Sequence, residues 1–169
     1  MPQIDNPDSN SASLAGRIKS LEERLDQLSS APLGKVKFLT GAGPSVSPVV
    51  TSTPTGSTVQ IQVPALATSC GFSVFGVGGA LNTTSVIDYL QVKIEVVYGS
   101  YDRWIAQSQS GVTAGSEANV TTPLVDTFSF APGGGTLTLT ASMNNGGSGS
   151  WTNTPYNVIF PEGLFVFQY

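Results

Sequence analysis

The residues with most capacity for chemistry in this chain are six carboxylates: Asp88, Glu95, Asp102, Glu117, Asp126 and Glu162. Two carboxylates at a suitable separation are enough to cleave a glycosidic bond, one acting as acid and the other as base or nucleophile. Their positions give no reason to pair any two. Glu95 falls on the polar face of an alternating stretch, Asp102 borders a turn beside Arg103, and Glu162 follows Pro161 in another expected turn. Each reads as a solvated surface charge. The sequence contains no His, which removes the commonest general base, the usual triads and most zinc sites. A single cysteine, Cys70, allows no intramolecular disulfide and no Cys-Cys or Cys-His metal set; it reads as a small buried apolar residue. Gly76-Val77-Gly78-Gly79 lacks both the third Gly of a dinucleotide loop and the Lys of a P-loop, and is read as a turn. No catalytic residue, metal or cofactor is expected, although a small polysaccharide-degrading enzyme remains the reading from another class.

Surface recognition has more material to work with. Tyr98, Tyr101, Trp104, Trp151 and Tyr156 flank stretches rich in Ser, Asn and Gly. Aromatic faces beside amides and hydroxyls are what sugar stacking and hydrogen bonding require. Tyr101, Trp104, Trp151 and Tyr156 are therefore the candidate ligand-binding residues. Trp104 alternates with Arg103 and fits a core position equally well. Trp151 follows Asn145-Gly146-Gly147-Ser148-Gly149, read as a flexible loop, and is the better candidate for exposure. A net charge of −4 without a basic cluster argues against nucleic acid as a partner. Asn82-Thr83-Thr84 and Asn119-Val120-Thr121 fit the glycosylation pattern and are read as incidental.

The elements that must position these side chains are strands. Beyond residue 32 the chain is poor in charge and rich in Gly, Ser, Thr, Val and Phe, a mixture that favours short strands and tight turns. Lys35 to Leu39 reads as a first strand, and Thr58 to Val63 alternates with Val59, Ile61 and Val63 on one face. Gly71 to Val77 follows, ended by the Gly78-Gly79 turn. Residues 86 to 98 give the longest signal, with Leu90, Val92, Ile94 and Val96 opposite Gln91, Lys93 and Glu95. Arg103 to Ser108, Leu124 to Phe130, Thr136 to Ser142 and Tyr156 to Phe160 come next, separated by Gly and Pro. The last segment, Gly163 to Tyr169, is apolar on both faces: Leu164 and Val166 on one, Phe165, Phe167 and Tyr169 on the other. Such a strand belongs inside a sandwich or at a subunit interface, and the second alternative makes Phe165, Phe167 and Tyr169 candidates for a trimer contact. Eight or nine strands without a helical pattern predict a mainly β head, an antiparallel jelly-roll-like β-sandwich over residues 33 to 169.

The N-terminal part differs in kind. Residues 1 to 32 carry eight charged side chains against ten in the rest of the chain. Leu14, Ile18, Leu21, Leu25 and Leu28 step by four and three, the rhythm of a coiled-coil seam, so residues 11 to 32 are expected to form a short coiled-coil helix. Residues 1 to 10, with Pro2 and Pro7, read as an extended arm. With leucines at d, Arg17 occupies g and Glu22 the following e, and each can reach the other across neighbouring helices. Residues 17 to 22, Arg-Ile-Lys-Ser-Leu-Glu, resemble the trimerisation motif of short parallel three-stranded coiled coils at every specified position. The second heptad departs from it, because Ser29 stands where Glu would follow Arg24. The start, Met-Pro-Gln-Ile-Asp-Asn-Pro-Asp, has no basic or apolar run of a signal peptide, and no stretch approaches the roughly 20 apolar residues of a membrane span. A soluble protein is expected.

A short parallel coiled coil followed by a sandwich head resembles the trimeric knob-on-stalk proteins of bacteriophage virions, of the minor tail, tail-fibre or head-fibre type. The resemblance rests on the six-residue motif and on the layout of the whole chain. It implies a homotrimeric structural virion protein, assembled in the bacterial host cytoplasm, whose arm binds other virion proteins. Its heads would contact the host surface, a glycan being the implied ligand; the alternative is a capsid decoration or head-fibre protein.

Overall fold

The computed structural model describes residues 48–100, 102–147, 149–152 and 154–169, together with the backbone of residues 35–39. The expected arm, the coiled-coil residues Leu14, Arg17, Ile18, Leu21, Glu22, Leu25 and Leu28, and Tyr101 lie outside the described residues. Among the described residues there is no helix; eight strands account for the regular structure. They are β1 (Lys35–Leu39), β2 (Thr55–Val63), β3 (Ser69–Leu81), β4 (Asp88–Tyr98), β5 (Asp102–Val112), β6 (Glu117–Ser129), β7 (Gly135–Asn145) and β8 (Val158–Gln168).

Their pairing is nested. β1 pairs with β8, β2 with β7, β3 with β6 and β4 with β5, every pair antiparallel, as in one long hairpin that has been rolled up. Two further pairings, β3 with β8 and β4 with β7, join these hairpins into two four-stranded sheets. Sheet I has the order β1-β8-β3-β6 and sheet II the order β2-β7-β4-β5, an eight-stranded jelly-roll-like sandwich.

The core lies between the sheets and follows from alternation. Leu90, Val92, Ile94 and Val96 of β4 are fully buried, as are Leu137, Leu139, Ala141 and Met143 of β7. Facing them from sheet I are Cys70, Phe72 and Val74 of β3 and Ile159, Phe165 and Phe167 of β8. Fully burying a side chain of this size contributes about 1.5–3 kcal/mol, so the two inner faces hold the head together.

Glycine is used here differently from the sequence expectation. Gly76 to Gly79 is not a turn but the middle of β3. A Cβ at Gly78 would meet Val92 Cγ2 at 2.5 Å, and one at Gly76 would lie 3.3 Å from Ile94 Cβ. These inward positions must be empty for sheet I to come this close to sheet II. At the same level the buried hydroxyl of Thr122, on β6, donates to the carbonyl of Val92 at 2.8 Å and ties the two sheets directly. Gly111 and Pro123 also lie within strands. Pro123 is tolerated because β6 is the edge of sheet I. The two terminal stretches are one strand: Gly163, at φ +150°, carries β8 through a conformation in which a Cβ would strike the Ser73 carbonyl at 2.5 Å. Glu162 therefore stands in a strand, half-buried, and not in a turn.

Candidate functional site

The residues expected to touch ligand do not come together. Trp151 is fully buried, which corrects the expectation of exposure. Its backbone bridges to Val50 through two hydrogen bonds, and its indole Nε1–H donates to Asp88 Oδ2 at 3.1 Å. Trp104 is half-buried in a cluster that fills the gap between the edge strands β5 and β6. Its ring lies 4.4 Å from that of Phe128 and 5.7 Å from that of Phe72, while Tyr98 stacks near Phe128 and Phe130. The Tyr98 hydroxyl donates to the Gly134 carbonyl at 2.9 Å, so this cluster closes one side of the sandwich with its rings packed on one another and partly buried. Tyr156 is exposed. Phe165 and Phe167 point into the core of the single chain and have no surface left to offer a neighbour; only Tyr169 of that trio is exposed. The terminal strand is thus the interior strand of one sandwich, because β1 and β3 flank it and sheet II covers its inner face.

The carboxylates are held apart in separate roles. Asp88, expected at the surface, is buried: Oδ1 accepts the Tyr89 N–H at 2.8 Å and Oδ2 the Trp151 indole. Glu95 accepts from Arg103 and pairs with Lys93 at 3.1 Å. Partial burial pushes its carboxyl up, but the hydrogen bonds and charges of Arg103 and Lys93 outweigh this and hold it below the ordinary carboxylate range. Asp102, Glu117 and Asp126 are exposed. Among the described residues no three His, Cys, Asp or Glu side chains lie together where a metal ion could be held. Burial pushes the Cys70 thiol up to about 12, against a smaller opposing effect of a backbone hydrogen bond from Val166. It is inert as a nucleophile at neutral pH.

The outer faces of the two sheets differ in chemistry. On sheet I, Phe75 and Val77 of β3, Val125 of β6, and Phe160, Leu164 and Val166 of β8 alternate with the core residues and face outward. Val125 is the most open of them, at 69% exposure. A groove of about 430 Å³ at one end of this face is lined by Ser69, Gly71, Thr127, Ser129 and Gln168, and the Ser69 hydroxyl donates to Gln168 Oε1 at 3.0 Å. On sheet II, Thr58, Gln60 and Gln62 of β2 face Thr140, Thr138 and Thr136 of β7, and Gln91 of β4 faces Gln109 of β5. This is a carpet of hydroxyls and amides. It also carries Tyr89, half-exposed at 50%, an aromatic residue missed among the sequence candidates. Its signal was its place in the alternation: Tyr89 shares the outward face of Gln91, Lys93 and Glu95, where an aromatic side chain has no core to enter.

No family model matches the chain, and no curated protein matches it. Among solved structures, a chain in the structure of infectious bursal disease virus Gx strain is similar at 16% identity and a TM-score of 0.50, over 82% of this chain and 34% of that one. The likeness shows the fold alone. A chain of the T13 particle of the same virus aligns at 14% identity and a TM-score of 0.48, over 83% of this chain and 32% of that one. TmCBM61, solved in complex with beta-1,4-galactotriose, aligns over 85% of this chain and 94% of its own length at 12% identity, but its TM-score of 0.32 supports no inference. The present chain spans about a third of the length of the viral chains it resembles.

Proposed function

We propose that this chain is a structural virion protein, non-enzymatic, that works as a homotrimeric knob on a bacteriophage particle, of the minor tail or tail-fibre type. The observation that carries the reading is the nested eight-stranded sandwich, a fold it has in common with a chain of a virus particle. The heptad of Leu14 to Leu28, with Arg17 and Glu22 at g and e, supports three parallel strands. The outward apolar residues of sheet I support it from the head: Val125, Phe75, Val77 and Leu164 are what a neighbouring head would cover in a closed ring, in place of the buried Phe165 and Phe167. The arm, residues 1 to 10, would join the trimer to another virion protein, and the heads would meet the host surface. Three weak contacts on one rigid knob gain strength through effective concentration without any deep pocket.

Two of the six carboxylates are tied up in structural bonds, which supports a non-enzymatic role. Asp88 is engaged by Trp151 and Tyr89, and Glu95 by Lys93 and Arg103. Decoration of the capsid, or a head fibre, differs from the tail reading only in where the trimer sits. Mass measurement in solution is expected to give a trimer, and deletion of residues 1 to 32 to weaken it; a full-length monomer at micromolar concentration refutes the knob. Antibody labelling of intact particles in the electron microscope is expected to mark the tail, whereas labelled heads establish decoration and unlabelled particles end the virion reading.

A further inference from the structure

Tyr89 stands at one end of the outer face of β4 with a glycine beside it on each side. Gly111 lies directly opposite on β5, and on the other side Gly146 donates its N–H to the Tyr89 carbonyl at 2.9 Å. A Cβ at Gly111 would lie 3.8 Å from Tyr89 Cε1, and one at Gly146 3.3 Å from Tyr89 Cβ. Side chains at either place would cover the ring, and their absence leaves it bare. In the next outward row, Asn144, Gln91 and Gln109 face one another across β7, β4 and β5. Asn144 Nδ2 donates to Gln91 Oε1 at 2.9 Å, and Gln91 Nε2 donates to Gln109 Oε1 at 3.2 Å. That chain of bonds orients three amides and leaves the Gln109 amino group as a donor and the Asn144 carbonyl as an acceptor at its two ends.

The platform is supported from below. The buried Asp88 carboxylate holds the Tyr89 backbone N–H and the Trp151 indole together. Beside it, Asn82 Nδ2 donates to the carbonyls of Val86 and Val112, both at 2.9 Å, and Asn82 Oδ1 accepts the Thr84 N–H at 2.9 Å. Asn82 is itself fully buried, so it is a loop anchor and not a glycosylation acceptor. The pinned loop displays Ile87 at 69% exposure two residues before Tyr89. The backbone that carries the ring is thus fixed by buried hydrogen bonds, so it loses little freedom when a ligand stacks there.

We propose that Tyr89 with Gln91, Gln109 and Asn144 is a binding site for an uncharged saccharide, whose pyranose ring stacks on Tyr89 while its hydroxyls bond to the amide row. The assignment rests on the host-contact reading above and gives it a site and a ligand class. An acidic sugar is disfavoured, because the cations of this face among the described residues, Lys93 and Arg103, are both engaged with Glu95. A protein partner would need a far wider surface than one ring and three amides.

The test is the full-length protein on an array of immobilised neutral hexose and N-acetylhexosamine oligosaccharides, printed beside sialylated and uronate-containing ones. Retention is expected on neutral glycans only. Tyr89→Ala is expected to lower it about tenfold, Tyr89→Trp to keep it, and Gly111→Val to lower it by covering an unaltered ring. Leu66→Ala, on an exposed residue of the β2–β3 connection outside the amide row, leaves it unchanged. Absence of retention on every neutral glycan, or equal retention by wild type and Tyr89→Ala, overturns the site. The outcomes are separable from those of the knob: a monomer that binds through Tyr89 refutes the trimer and keeps the site, while a trimer on the particle that binds no saccharide refutes the site alone.

Discussion

Replacing Gly78 by alanine adds one methyl group between the two sheets, against Val92. The new Cβ would stand 2.5 Å from Val92 Cγ2 and 3.3 Å from Ile159 Cδ1, well inside van der Waals contact for the first and tight for the second. Overpacking of this kind costs about 1–3 kcal/mol, and the smaller backbone freedom of alanine in the unfolded chain returns about 0.4–1 kcal/mol, so the net loss spans about 0–2.6 kcal/mol and centres on about 1–2 kcal/mol. For a chain of this size that corresponds to a fall in Tm of about 2–8 °C. Gly71, seven residues earlier on the same strand, supplies the control. Its Cβ would meet only Thr127 Cγ2 at 3.5 Å, an ordinary contact, so Gly71→Ala should be neutral or stabilising by up to about 1 kcal/mol. Denaturant unfolding at fixed protein concentration measures both, the concentration being fixed because assembly adds to apparent stability. A third variant isolates the cause. Val92→Ala removes the obstructing methyl, so adding Gly78→Ala to it should cost little, with a coupling of about 1–2 kcal/mol in the double-mutant cycle. Equal stability of the Gly78→Ala and Gly71→Ala variants, or strict additivity with Val92→Ala, would refute the close approach of the two sheets.

Three further outcomes follow from buried or paired groups. Trp151→Phe keeps most of the bulk but leaves Asp88 Oδ2 without its indole donor, and should destabilise the head by about 1–3 kcal/mol in the same unfolding assay. Glu95 has its carboxyl held below the ordinary range in the folded state, so its contribution is present above the unfolded value and is lost as pH falls through the folded one. Stability measured from pH 6 downward should therefore decline less steeply for Glu95→Gln than for wild type. Cys70, buried with its thiol pushed up to about 12, should resist iodoacetamide at pH 8 in the native protein and react readily in denaturant; prompt native labelling would contradict its burial.

Where alternation dominates, the sequence was readable. β4 was legible because Leu90, Val92, Ile94 and Val96 alternate with Gln91, Lys93 and Glu95, and β2 for the same reason. Glycine and proline misled, since both have more than one use. Gly78 serves close packing, Gly111 leaves a neighbouring ring uncovered, Gly163 carries a strand through a conformation closed to other residues, and Pro123 sits on an edge. None of these uses differs from a turn in local composition. Trp151 was misplaced because its position beside a Gly-rich segment says nothing of Asp88, which lies 63 residues away in sequence and supplies the partner that lets an indole be buried. Conversely, Asp88 could be buried only because Trp151 and Tyr89 donate to it. Tyr89 itself was legible in the alternation, but what makes it a platform, Gly111 opposite it on β5 and Gly146 just past the end of β7, appears only once the register is known.

The nested pairing also dictates a timetable. Lys35 finds its partner in Phe167, and β8, last of the eight strands in sequence, is inserted between the first and the third. Sheet II requires only β2, β4, β5 and β7, so it can close around the local β4–β5 hairpin before sheet I exists. Until β8 arrives, β3 shows a bare edge and β1 has no partner at all. Long-range closure of this kind makes folding slow and exposes unpaired edges while it waits. A nascent head is therefore most open to wrong strand exchange with a neighbouring copy just before its final strand emerges, and a helix that gathered three copies early would concentrate those edges. On the proposed trimer, weak association of residues 11 to 32, a seam of only two and a half heptads, would work as a safeguard by joining the heads only after each has finished folding alone.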